Sequence, residues 1–249
     1  MPMTMPNLSD RLYWREKPRG RAPAMYQQWR DLLFLHWRVE PEMIQRTLPP
    51  GLFVDTFEGS AFLGLVPFFM REIRPRFVPA FPPISNFLET NVRTYVHDAN
   101  GTPGVWFYSL DASQPLAVLI ARAFFKLPYF HARMNAQRDN AGNIRYTTQR
   151  RGLDTPPSVF HYQGSDRPHL AEPDTLTFFL VERYILFANP PSGLHTGQVH
   201  HVPYPVQPAN VTRWDGSLLA LAGFPNLRRP PDSALYSPGV DVNVYALQK

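Results

Sequence analysis

From Asn86 to His97 the side chains alternate with a period of two. Leu88, Thr90, Val92, Thr94 and Val96 share one face, while Phe87, Glu89, Asn91, Arg93, Tyr95 and His97 share the other. That period predicts a strand, and Asp98-Ala-Asn-Gly101 predicts a turn returning the chain through Val105 to Leu110 as a hairpin. A second hairpin is expected from Tyr129 to Gln137 and Asn143 to Arg150, around Asp139-Asn-Ala-Gly142. Leu32 to Val39 is apolar and β-rich, and Pro41-Glu42 then opens a short helix that Pro49-Pro50-Gly51 stops. Ala61 to Met70 is nearly all apolar, as in a strand buried on both faces, with Pro67 marking a bulge or a sheet edge. Pro173-Asp174 begins a helical segment leading into Tyr184 to Ala188. Later strands are expected at Gly197 to Val202, Ala209 to Trp214 and Val240 to Leu247.

The period changes between Gln114 and Leu127, where Leu116, Leu119, Ile120, Ala123 and Leu127 fall on one helical stripe. Ser113 is placed to cap this helix, Pro115 sits in its first turn and Pro128 ends it. The stripe predicts a face buried in the core. Met1 to Asp10 carry no periodic apolar pattern and are expected to pack weakly. Strands dominate, and neither an internal repeat nor a long linker divides the chain. The expectation is one mainly β domain over residues 1–249.

Composition narrows the partners. The 28 prolines are spread through the middle of the chain, which fits short strands joined by stiff turns better than disorder. Cysteine is absent, so disulfide and thiolate chemistry are excluded. The net charge of +5 comes almost wholly from arginine, with Lys17, Lys126 and Lys249 the only lysines. The arginine clusters are small, at Arg15 to Arg21, Arg150–Arg151 and Arg228–Arg229, and read as solvated surface charge; no nucleic-acid partner is expected. The apolar run Ala61 to Met70 is too short to cross a bilayer, and Met1 to Asp10 lack a signal-peptide core. A cytoplasmic protein without a membrane partner is the expectation.

Several segments, in order, resemble the acetoacetate decarboxylase superfamily, and most of all its uncharacterised YqjF-like branch. They are Leu35-His-Trp-Arg-Val39 with Leu48-Pro-Pro-Gly-Leu52, Phe87-Leu-Glu89, Tyr108-Ser-Leu-Asp-Ala112, and Ala121-Arg122 running into Leu127-Pro-Tyr-Phe130. Glu182-Arg-Tyr184 and His201-Val-Pro-Tyr-Pro205 resemble further signatures of that branch, and the likeness spans roughly residues 28 to 247. The resemblance implies a mainly antiparallel, cone-like β-barrel enclosing a ligand cavity. It also implies a lysine just after the helix-ending proline that attacks the ketone of a β-keto acid. An arginine before the first strand and a glutamate on a pocket strand then orient the substrate carboxylate. Carried over position by position, that arginine falls on Arg30 and that glutamate on Glu89. The two adjacent lysines fall on Tyr129 and Phe130, which cannot form an imine. A further acidic position of the decarboxylase site falls near Gly64.

Each candidate has a plainer reading. Lys126 lies one turn beyond Arg122, three residues before the family's lysine position, where a helix-end cation is more usual than a nucleophile. The row Glu89, Asn91, Arg93 reads as a solvated face from periodicity alone, and as a pocket wall through the resemblance; a buried Glu89 would need Arg30 or Arg93 as partner. Arg122 and Glu182–Arg183 read as structural ion pairs. His195, His200 and His201 do not make a metal site, because adjacent histidines on a strand face opposite ways; His201 reads instead as a pocket rim or a corner packing group. No Gly-x-Ser-x-Gly elbow occurs.

The leading expectation is therefore a barrel that binds a small anionic or amphipathic organic molecule, without metal or cofactor. Its candidate ligand-binding residues are Arg30, Glu89, Tyr129, Arg122 and His201, with Phe87 and Trp106 as walls, and Arg30 meeting Glu89 across the cavity. The second is a lyase, isomerase or hydrolase on the same scaffold, with Glu89 as acid–base and Tyr129 as donor. A third, purely structural role would show as a filled barrel. A homo-oligomer is compatible with all three.

Overall fold

The structure is a computed structural model that describes residues 4–225 and 227–249. In chain order its elements are α1 (Leu8–Arg15), β1 (Met25–Val39), α2 (Pro41–Gln45), β2 (Leu52–Val54), β3 (Ala61–Pro75), α3 (Pro82–Ser85) and β4 (Phe87–Asp98). There follow β5 (Pro103–Ala112), α4 (Pro115–Phe125), β6 (Tyr129–Arg138), β7 (Ile144–Arg150), β8 (Ser158–Gly164) and β9 (His169–Leu170). The chain ends with α5 (Leu176–Val181), β10 (Ile185–Ala188), β11 (His195–His200), β12 (Pro205–Arg213), α6 (Ser217–Leu221) and β13 (Ser233–Val244).

The strands form one sheet in the order β2-β4-β3-β1-β13-β11-β10-β5-β6-β7-β8-β12-β9, and extra pairings of β4 with β5 and β12 with β13 make it ring-like. Every pairing is antiparallel except β5 with β6 and with β10. The mainly β class is as expected, and both hairpins form, β4–β5 and β6–β7.

The shared wall β1–β3–β4 is buried on both faces, which is why β3 reads as an unbroken apolar run. Leu32, Phe34, Val66, Phe68, Phe87 and Tyr95 join a core on one side; Leu33, Leu35, Trp37, Leu63, Leu65 and Val92 join a second core on the other. Pro67 is not at an edge: β3 lies between β1 and β4, and β1 bulges opposite it. Four residues of β1 there face three of β3, and Asp31, with φ of 51°, takes up the extra residue. The bulge reverses the parity of β1. Met25, Gln27 and Trp29 point inward before it, and Leu32 and Phe34 point inward after it.

Two sequence expectations need correction. First, α4 exists, but its cap is Gln114, whose side chain accepts from the Leu116 amide. Ser113 instead bonds the β4 backbone at Leu88. Second, the α4 stripe is not core: Leu119 is 64% exposed, and Leu116, Ile120 and Ala123 are exposed as well, while only Val118 is buried. The helix lies across a cavity mouth, so its apolar side faces a void and solvent. Of Met1 to Asp10, residues 1–3 lie outside the described residues, and Leu8–Asp10 begin α1, none of whose residues is buried. That helix opens with a capping box between Asn7 and Asp10 and is tied down by Arg11, which grips buried Asp55 through two bonds of 2.7 and 2.8 Å.

Candidate functional site

Inside the ring lies a cavity of about 360 Å³, walled mainly by apolar side chains of β1, β3, β4 and β5. α3 and α4 frame its mouth with Phe81, Ile84, Leu116 and Ile120, and Gln114 Nε2 donates to the Pro83 carbonyl, linking the two helices. Phe77, Phe81 and, at 72%, Phe124 are exposed on this rim. The rim segments, residues 73–88 and 113–127, carry Arg74, Arg76, Arg122 and Lys126 and no carboxylate, with exposed Glu72 just before the first of them.

The polar content of the cavity comes largely from one face of β4. Glu89, Asn91 and Arg93 alternate inward between Phe87 and Tyr95, so the polar row in the sequence is buried and lines a pocket. Glu89 meets Tyr129, whose hydroxyl donates to Glu89 Oε2 at 2.9 Å. Burial pushes the Glu89 carboxyl up to about 8, against the lowering effect of the Tyr129 bond, and nearby Asp111 adds to the rise. Burial, and then the neighbouring carboxyl, raise the Tyr129 phenol. At neutral pH the carboxyl is therefore protonated; one oxygen accepts from Tyr129 and the acid proton is available to a ligand.

At the other end of the row, Arg93 is 8% exposed and forms no ion pair among the described residues. Its Nη2 makes long contacts of 3.3 Å to the Leu180 carbonyl and 3.5 Å to the Tyr95 hydroxyl, and its Nε has no partner. Gly64 makes room for it: a Cβ there would press on Arg93 Cγ and on the His36 ring at 3.3 Å. Arg183 also lines the cavity, bonded through Nη1 to Asp55 at 2.8 Å, with Nη2 unpartnered.

The other sequence candidates fall elsewhere. Arg30 precedes the bulge and points away from the cavity, donating to the Val240 carbonyl at 2.7 Å and pairing with exposed Asp241; it does not approach Glu89. Arg122 is exposed, its Nε donating to the Tyr129 carbonyl at 2.6 Å, so it braces the strand that carries Tyr129. His201 is a packing group, stacked against Tyr184 and Tyr204 with Nδ1 on the Val202 carbonyl, and burial pulls it down to about 4. Trp106 belongs to a separate cluster with Val96, Ile185 and Phe187, whereas Phe87 is a cavity wall as expected. Phe130 faces away, with the Arg150 guanidinium 3.7 Å above its ring. Lys126 caps α4 in the left-handed region and is exposed. No group of three or more His, Asp or Glu placed to hold a metal occurs among the described residues, and none of their helices is long and apolar enough to cross a membrane.

Comparison with known proteins gives three findings. The profile of the family DUF2071, described as an uncharacterized conserved protein, matches residues 26–241. The uncharacterized protein YqjF of Bacillus subtilis (strain 168) is 39% identical over 187 residues, covering 74% of this chain and 76% of YqjF. Among solved structures, acetoacetate decarboxylase from Legionella pneumophila superposes with a TM-score of 0.63 at 12% identity, covering 100% of this chain and 98% of that one. The enduracididine biosynthesis enzyme MppR, complexed with the condensation product of pyruvate and imidazole 4-carboxaldehyde, also gives 0.63 at 12% identity, over 91% and 89% of the two chains. At such identities the structural likeness establishes the fold.

Proposed function

This chain belongs to the DUF2071 family on an acetoacetate decarboxylase-like fold, and from that premise we propose that its cavity binds a small amphipathic organic molecule without imine chemistry. The observation that carries this reading is the cavity itself, apolar-walled and crossed by a single polar row from Glu89 to Arg93. Apolar walls reward burial of a ligand's hydrocarbon part, and a few fixed polar groups set its orientation. Tyr129 stands where the resemblance puts the nucleophilic lysine, and no lysine is among the side chains that line the cavity. The test is incubation with acetoacetate and borohydride followed by intact mass measurement. The mass should stay unmodified. A reduced adduct on Lys126, lost in Lys126→Met, would overturn the proposal.

One observation favours a second reading, an acid–base enzyme. Glu89 is a buried carboxyl held near neutral in its titration and bonded to a phenol inside an apolar cavity, and such groups serve as general acids and bases. On that reading the ionised form of Glu89, a minority at neutral pH, takes a proton from a carbon acid and returns it, while Tyr129 holds the carboxyl in place. Uptake of solvent deuterium into a bound carbon acid, abolished in Glu89→Gln, distinguishes the enzyme from the binder.

A further inference from the structure

The geometry points to an anion subsite at the deep end of the cavity, formed by Arg93 and Arg183, that receives the carboxylate of an amphipathic organic acid whose apolar chain runs toward the mouth. This inference rests on the cavity-binding reading above and names the ligand class.

Two unpartnered donors, Arg93 Nε and Arg183 Nη2, belong to buried side chains that line the cavity. Arg93 and Arg183 flank one ring, with guanidinium carbons 5.7 and 5.0 Å from the centroid of Tyr95. The nearby charges do not balance. Asp55 serves both Arg11 and Arg183, which leaves one carboxylate for three guanidiniums once Arg93 is counted. His36 lies against this cluster with its titration moved well below the usual range, by burial first and by Arg93 second, so it stays neutral and adds no further positive charge. A buried guanidinium without a counter-ion is costly, and an incoming carboxylate would satisfy donors that the chain leaves open.

The rest of the cavity fits the remainder of such a ligand. β4 carries the row from Arg93 to Glu89 over about 13 Å, at roughly 3.4 Å per residue. Phe68, Met70 and Phe87 wall the cavity beside that row. Glu89, protonated at neutral pH, does not repel an acid lying along it. The entrance helps as well, since the rim segments present four cations and no carboxylate and so draw anions inward.

The experiment is calorimetric titration at pH 7 with octanoate and, as its uncharged counterpart, 1-octanol. In the wild-type protein octanoate should bind roughly 10- to 100-fold more tightly, the difference made by hydrogen bonds to charged donors. Arg93→Met should remove that preference, while Arg93→Lys should restore part of it. Equal affinity of the two ligands in the wild type overturns the anion subsite but leaves the cavity reading intact. Failure of both to bind overturns both. The wild-type comparison decides the matter however well the Arg93 variants fold.

Discussion

Glu89→Gln should abolish a pH-dependent loss of stability that the wild-type protein suffers between about pH 5 and pH 8. Glutamine keeps the shape and retains an oxygen to accept from Tyr129, but it has no ionisable proton. In the native chain burial raises the carboxyl from 4.5 to about 8. Between those values the folded state holds a proton that the unfolded state has released. Stability is then complete below the unfolded value and falls as pH rises, by about 1.4 kcal/mol per pH unit. Summed over the window, the loss is roughly 3 to 5 kcal/mol, the upper figure applying if nothing relaxes around the ionised group. Asp111 and Glu182 are shifted in the same direction, also by burial. His36 and His201 are lowered, so they contribute stability that is gained as pH rises toward the ordinary imidazole range. All four are common to both proteins, so the difference between wild type and variant isolates Glu89. Urea denaturation at intervals from pH 5 to pH 9 measures it. The variant should gain on the wild type as pH rises to about 8 and hold that gain above it. A constant offset, or a wild type that gains on the variant, would refute the buried-carboxyl argument.

Two further outcomes follow from the packing. Asp55→Asn removes the carboxylate shared by Arg11 and Arg183 and leaves Arg183 buried without compensation, so the unfolding free energy should fall by about 3 to 5 kcal/mol in chemical denaturation. Along α4, Val118→Ala should cost about 1.5 kcal/mol, because Val118 is the buried residue of that helix, whereas Leu119→Ala should change stability by less than about 0.5 kcal/mol. Equal costs at the two positions would show that the helix packs by its apolar stripe after all.

The hairpins were legible because alternation and turn residues are local signals, and β4 and β5 follow them closely. The helix ends at α4 were legible from prolines, within two residues. What α4 packs against was not, since an apolar stripe facing a cavity mouth has the same pattern as one facing a core. Arg30 failed as a site residue for a specific reason: the bulge at Asp31 reverses which residues of β1 point inward, and nothing in the alternation of Met25 to Val39 announces it. Arg93 is the signal within reach, because it shares the face of Glu89 two alternations away. Strands β2, β8 and β9 and helices α1, α3 and α6 are short or weakly patterned and are not signalled by the sequence, and β13 begins seven residues before its expected start because Pro238 and Gly239 interrupt the β pattern. At Gly239 β13 is packed tightly on β1: a Cβ there would collide with the Trp29 carbonyl oxygen.

The central claim is that the cavity holds a small amphipathic molecule. Native mass spectrometry of the protein purified from its own host tests it most directly. The account predicts a discrete mass excess that vanishes on denaturation and diminishes in a variant that fills the cavity, such as Val66→Trp. A bare polypeptide mass for protein taken from several growth conditions, with no shift in melting temperature on adding octanoate or 1-octanol, would contradict it.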